Sequence, residues 1–264
     1  MGELVFVGLG LHDERGITLR GLEEVKQADT AFVEVYTSLM VDFSMNRLEK
    51  RCGKKLDIVS RKNLEDEDGE AVLKSAERGK TVLLVPGDPL IATTHVALRI
   101  EAENRGLETR VVHGASILSA VMGLSGLHNY KFGKSVTIPF LETSETSYEV
   151  IAQNRELGLH TLCLLDVKVE ESRYMTIREA LDLLFKIEER RKEGVTTKDT
   201  LAVGIAKAGS RNPTVKADYL TDLVGYNFGG APHTLVFPGK LHFMEVEALK
   251  VLANAPEKLR ETVR

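Results

Sequence analysis

The chain opens on a short apolar run, Leu4–Val7, closed by Gly8-Leu9-Gly10, which is the length and ending of a buried strand entering a tight turn. Thr18 stands where a helix N-cap belongs, with Leu19, Leu22 and Val25 at helical spacing behind it. Thr30–Val35 predicts a second strand, Asn46–Arg51 a short helix and Asp57–Ser60 a short strand. Glu70–Arg78 predicts a helix, and Thr81–Val85 an apolar strand broken by Pro86-Gly87-Asp88-Pro89. A helix from Thr94 to Arg105 stops at Gly106, and Thr109–Val112 is the last strand of this half. Such alternation predicts a mostly parallel sheet with helices on both faces.

The pattern changes after His113-Gly114-Ala115-Ser116, which reads as a hinge. Val136–Pro139, Thr161–Leu165, Leu201–Ala206 and Thr234–Phe237 predict strands; Tyr148–Leu157 and Glu245–Leu252 predict helices. A longer helix over Ile177–Arg191 carries Ala180, Leu181, Leu184 and Ile187 on one stripe, with a charged opposite face. Helices are sparser and their order less regular here, so the expectation is a mixed α+β domain. The fold class expected is therefore α/β in two domains, 1–112 and 113–264.

Composition narrows the function. About 43% hydrophobic and 28% charged residues in 264 describe a globular chain with a full core. With 35 basic against 39 acidic residues and a net charge of −4, nothing calls for nucleic acid as a partner. No stretch approaches the roughly 18 apolar residues of a membrane span. The start has no basic lead, no long apolar region and no cleavage signal, so secretion is not expected and a cytoplasmic location is. Cys52 and Cys163 lie far apart with no framework between them, which reads as two inert near-core thiols in a reducing compartment. The charge run Glu65–Asp68 reads as a solvated loop or helix start. Glutamine is confined to Gln27 and Gln153 and tryptophan is absent, a bias seen in proteins from hot environments.

Four turns carry candidate chemistry. Gly8-Leu9-Gly10 invites a dinucleotide reading, with Glu34 as a ribose-binding acid, but the third glycine of that fingerprint is Asp13 here. The plainer reading is a tight turn. Asp88 is fixed between two prolines beyond a strand's carboxyl end, where α/β sheets collect ligands; it either accepts from a ligand or caps the segment that follows. Ser116 either caps the next helix or bonds a ligand. His233 sits on the glycine-rich loop Gly229–Thr234, as a site residue or as a structural hydrogen-bonding group. Zinc-ligand spacings, a Walker loop and a Gly-x-Ser-x-Gly turn are all missing from the sequence. An enzyme without metal or nucleophile works chiefly by positioning.

Taken in order, several motifs resemble those of the diphthine synthase family. They are Gly8-Leu9-Gly10-Leu11, Glu34-Val35-Tyr36-Thr37-Ser38, Pro86-Gly87-Asp88-Pro89-Leu90, Thr93-Thr94-His95 and His113-Gly114-Ala115-Ser116-Ile117. Tyr130-Lys131-Phe132-Gly133-Lys134, Ala208-Gly209-Ser210, Pro232-His233 and Pro238-Gly239-Lys240-Leu241-His242 complete the series. The resemblance runs from about residue 4 to residue 250. It places the chain among tetrapyrrole-methylase-like methyltransferases and implies two α/β domains holding S-adenosylmethionine (SAM) in the cleft between them, with S-adenosylhomocysteine as product and no metal. It further implies a homodimer, and as substrate the 3-carboxy-3-aminopropyl histidine of elongation factor 2, methylated on its amino group.

By motif, the SAM contacts implied are Leu11, Asp88, Ile91, Ser116, Ile117, Leu165, Ala208 and His233. No catalytic base is identified: His233 and Asp88 are candidates, but both are expected to be occupied with SAM. Lys131, Lys134 and Lys240 are candidates to pair with the acceptor's carboxylate, beside the plainer reading of surface lysines. The alternative within this class is a methyltransferase acting on tetrapyrrole or corrinoid precursors. Two departures stand out. Family members commonly have Asp at Gly16, in a turn expected to be peripheral, and the loop Phe140–Ser147 is short and rich in Thr, Ser and Glu.

Overall fold

The computed structural model describes residues 2–259; Met1 and 260–264, the outermost positions of the two expected domains, lie outside the described residues. The chain forms two compact units, Met1–Ile117 and Leu118–Arg264.

The first unit is built from β1 (Glu3–Gly8), α1 (Leu19–Gln27), β2 (Thr30–Val33), α2 (Met45–Cys52), β3 (Asp57–Ile58), α3 (Glu70–Arg78), β4 (Lys80–Val85), α4 (His95–Asn104) and β5 (Glu108–Val112). All five strands run parallel in the order β3-β2-β4-β1-β5. Leu4–Val7 and Val82–Val85 are fully buried, as both faces of a helix-covered parallel sheet require. Thr18 caps α1 by accepting from Gly21 N–H at 3.0 Å. β2 ends at Val33 rather than Val35, because the Glu34 carboxylate accepts from Tyr36 N–H at 2.8 Å and Thr37 N–H at 3.1 Å and turns the chain.

The second unit follows with α5 (Ile117–Ser125), β6 (Val136–Ile138), α6 (Thr146–Glu156), β7 (Thr161–Leu165), β8 (Val167–Lys168), β9 (Arg173–Tyr174), α7 (Ile177–Arg191), β10 (Leu201–Ala206), β11 (Thr214–Tyr219), α8 (Leu220–Leu223), β12 (His233–Phe237) and α9 (Phe243–Ala253). Its sheet runs β11-β10-β12-β7-β6, antiparallel except for the β6–β7 pair. Helix α7 starts on a reciprocal cap between Thr176 and Glu179 and buries Ile177, Ala180, Leu181, Leu184 and Ile187. The mixed second sheet matches the change of pattern in the sequence.

Candidate functional site

In the first sheet β1 and β4 are neighbours whose onward connections leave in opposite directions: β1 leads across β4 to β2, and β4 leads across β1 to β5. Adjacent strands that part this way open a crevice beyond their carboxyl ends, the usual ligand position of open α/β sheets. The three motif turns sit there. Gly8 pairs with Val85, and Gly10 bridges Gly87. A Cβ on Gly8 would lie 2.5 Å from the Gly87 carbonyl oxygen, and one on Gly114 only 2.3 Å from it. Glycine is thus required at Gly8 and Gly114 because three backbone segments meet there.

The Pro86–Leu90 turn is held firmly. Thr93 Oγ1 donates to the Pro89 carbonyl at 2.9 Å, and buried His95 reaches the same oxygen from Nδ1 at 3.3 Å while Tyr36 Oη meets its Nε2 at 3.4 Å. Burial holds the His95 imidazole below its ordinary pKa, against the pull of the Pro89 carbonyl and Glu65, so the neutral ring is a hydrogen-bonding strut. Asp88 is buried and 3.5 Å from Leu90 N–H, too long for a firm cap; its Oδ2 instead accepts a hydrogen bond from His113 Nδ1 at 2.7 Å. The His113 ring is 78% exposed. Leu11, Ser116 and Ile117 are half-buried in the same group of turns, and Ile91 is exposed.

The dinucleotide alternative does not survive this geometry. Asp13 is buried and pairs with Arg15 at 2.8 Å, opening a short 3-10 turn over Glu14–Gly16, so no helix N-terminus meets the Gly8–Gly10 turn. Glu34 is fully buried with its oxygens taken by Tyr36 and Thr37, so no ribose reaches it. Burial pushes that carboxyl up to about 6, although the Thr37 and Tyr36 hydrogen bonds oppose the shift. The turn at Gly16 is not peripheral: a Cβ there would lie 2.6 Å from the Leu9 carbonyl oxygen and 3.2 Å from Gly10 Cα. This chain's glycine therefore packs the turn directly onto the first motif.

In the second unit the antiparallel register gathers three more of the named residues. Thr234 pairs with Leu164 and Ala206 with His233, which brings Leu165, His233 and the Lys207–Ser210 turn to one end of the sheet. His233 Nδ1 accepts from Ile177 N–H at 3.2 Å, so the ring proton is on Nε2. That nitrogen is buried and has no partner, with the Gly229 and Gly230 carbonyls near it outside hydrogen-bond geometry. Burial holds the imidazole below its ordinary pKa. The Ser210 hydroxyl is buried and unpartnered too. Two orphaned donors at one sheet end are the mark of a ligand position, since such groups otherwise cost about 1–3 kcal/mol each. Leu165 and Ala208, at the same end of the sheet, are buried.

Lys131 is not free for an acceptor. Its ammonium is bound to the Lys240 carbonyl and to Glu245, tying the Tyr130–Lys134 and Pro238–His242 motifs together. Both cysteines are buried and burial raises both thiols, as expected of inert sulfur. Among the described residues no group of three His, Cys, Asp or Glu could hold a metal ion, and no helix is long and apolar enough to cross a membrane.

The profile of the tetrapyrrole (corrin/porphyrin) methylases matches residues 3–224. A diphthine synthase of Methanosarcina mazei is 47% identical, covering 98% of this chain and 99% of its own length. One from Methanocaldococcus jannaschii is 44% identical over 95% of this chain and 99% of its own. A solved crystal structure of a diphthine synthase, 44% identical, superposes with a TM-score of 0.89 over 96% of this chain and 97% of that one.

Proposed function

This chain belongs to the tetrapyrrole methylase family, in its diphthine synthase branch, and from that premise we propose that it methylates the 3-carboxy-3-aminopropyl histidine of elongation factor 2. It is a SAM-dependent methyltransferase of diphthamide biosynthesis. Similarity to diphthine synthases at 47% identity over 98% of the chain is the observation that carries this reading. The protein works as a cytoplasmic homodimer with neither nucleic acid nor membrane as partner.

SAM supplies a methyl group on a positively charged sulfur, already activated for displacement. The residues to which we assign SAM contacts, on their match to the family motifs, are Leu11, Asp88, Ile91, Ser116, Ile117, Leu165, Ala208 and His233. Supporting this assignment are the crevice beyond β1 and β4, the buried Asp88 carboxylate and the unpartnered His233 Nε2. The chain's part in the chemistry is to hold the acceptor amine in line and keep water out, effects worth up to about 7–11 kcal/mol when alignment is complete. No covalent enzyme intermediate is required, and no metal takes part.

The test is mass spectrometry of elongation factor 2 carrying the unmethylated aminocarboxypropyl group, after incubation with this protein and SAM. Stepwise methyl gains on that one histidine are expected. No gain, with SAM binding established by calorimetry, would overturn the acceptor and direct the search to tetrapyrrole precursors.

A further inference from the structure

Beside the Asp88–His113 pair, at the free edge of the first sheet, lies a cleft of about 350 Å3 lined by Arg20, Leu90, Arg99, Thr109, Arg110 and His113, with Val111 and Val112 at its base. Its lining contains three guanidinium groups and no carboxylate. Arg110 is committed: its nitrogens bind Glu3 and Glu24, the latter at 2.7 and 2.9 Å. Among the described residues Arg99 uses only Nε, on the Thr109 hydroxyl at 2.9 Å, and pairs with no acid. Arg20, in the first turn of α1, pairs with none among the described residues either. Of the acids around this edge, Glu3 and Glu24 are held by Arg110, Asp88 by His113, and Glu103 by the Thr109 hydroxyl. Arg20 of α1, on the Arg110 face of β5, and Arg99 of α4, on the Thr109 face, thus flank the cleft at this edge with guanidinium groups that no acid occupies, a group type suited to a carboxylate. His113 closes the same cleft, its Nδ1 donating to Asp88 and its other nitrogen on an exposed ring.

Resting on the acceptor proposed above, we propose that this cleft is the subsite for the acceptor's α-amino-acid end: Arg20 and Arg99 take the carboxylate, and His113, oriented by Asp88, takes the proton from the amine. The acceptor's amine and carboxylate share one carbon, so a site that anchors one fixes the other. Asp88 accepts the hydrogen bond from Nδ1–H, which keeps the proton on Nδ1 and leaves Nε2 as the acceptor nitrogen, the logic of a carboxylate-oriented base. The ammonium gives one proton to Nε2 and keeps its electron pair. That pair bonds the methyl carbon as the carbon–sulfur bond breaks, and the electrons of the broken bond stay on sulfur. The exposed ring then releases its proton to solvent before another methyl is added. Asp88 uses Oδ2 for this task, and Oδ1 stays available to SAM.

Two readouts test the subsite. In the first, Nε–H signals of Arg20 and Arg99 in the full-length protein are followed by NMR during titration with L-2-aminobutyrate and, separately, with its amide. Saturable shifts with the acid alone are expected. No shifts, or equal shifts with both compounds, overturn the proposal. In the second, the Arg20→Met/Arg99→Met double variant raises KM for elongation factor 2 by about tenfold or more while SAM affinity holds. His113→Ala lowers kcat by about 100-fold and is rescued by added imidazole. Unchanged KM and kcat overturn the proposal. If the wild-type protein leaves elongation factor 2 unmethylated, the acceptor identity fails and the NMR result alone decides the subsite.

Discussion

His160 donates from Nε2 to Oε1 of Glu245 across 2.8 Å, and neither side chain reaches solvent. The imidazole's other nitrogen accepts from Gly239 N–H at 2.9 Å, so the ring is neutral and fully used. Glu245 also accepts from the backbone N–H of His128 and His242, both at 2.9 Å, and from Lys131. One carboxylate thereby ties α9 to two of the loops whose sequences identify the family. Glu245→Ala leaves the His160 Nε2 proton and the Lys131 ammonium without their partner. Removing one member of such a buried pair costs about 3–5 kcal/mol, to be read as a fall in the urea midpoint. A loss below about 1 kcal/mol would mean the network is not structural.

Stability should fall in acid in two stages. Burial depresses the pKa of His95, His160 and His233 below the ordinary 6.5. A depressed group adds stability that is complete above its unfolded pKa and lost as pH falls toward the folded one, so the first loss begins near pH 6.5. Glu34 acts oppositely: raised from 4.5 to about 6, it favours the fold below pH 4.5 and loses that contribution as pH rises through 6. Three groups outweigh one, and the net slope is downward. In Glu245 burial pushes the carboxyl up, but the hydrogen bonds from His242, Lys131, His128 and His160 outweigh it and hold it at about 2. The second loss therefore lies between pH 4.5 and 2. Urea midpoints measured from pH 8 to 3 check the shape; a flat profile between 7 and 5 would contradict the buried neutral histidines.

Two glycines should respond in opposite directions to alanine. A Cβ at Gly114 meets the Gly87 carbonyl at 2.3 Å, and that oxygen belongs to backbone that cannot step aside without moving the β4 turn. Gly114→Ala is expected to destabilise by about 1–3 kcal/mol and to weaken SAM binding. Gly123 lies inside α5 with nothing within 4 Å of its ideal Cβ. Gly123→Ala should stabilise by about 0.5–1 kcal/mol. Thermal melts of the two variants, with SAM calorimetry on the first, decide both.

Much of the fold could be read from local pattern, because α3, β7, α7 and β10 carry clear apolar periods and end where the sequence says. Helix α5 escaped because Ile117–Ser125 is apolar nearly all round and shows no polar face. Strand β11 escaped because only Ala217 is buried in a polar edge strand. The turns carrying Asp88 and Gly114 were legible as motifs, but their meeting depends on strand order, which no single sequence displays. Arg20 and Arg99 were illegible for another reason. A lone arginine on a helix looks like a solvated side chain until its neighbours are found to lack a carboxylate.

His233 offers the sharpest test of the second unit's role. Its Nδ1 supplies the acceptor for the first N–H of α7, while Nε2 keeps a buried proton with no protein partner. His233→Phe retains the ring's bulk and loses both nitrogens. The abandoned Ile177 N–H should cost about 1–3 kcal/mol of stability, and SAM affinity should drop by about tenfold if Nε2 meets the ligand. A purely structural histidine predicts the first loss without the second. The wild-type protein supplies an independent check through the Nε2–H resonance of His233. That signal should move on adding SAM, and a signal unmoved at saturating SAM would remove His233 from the site and leave its Nε2 proton unexplained.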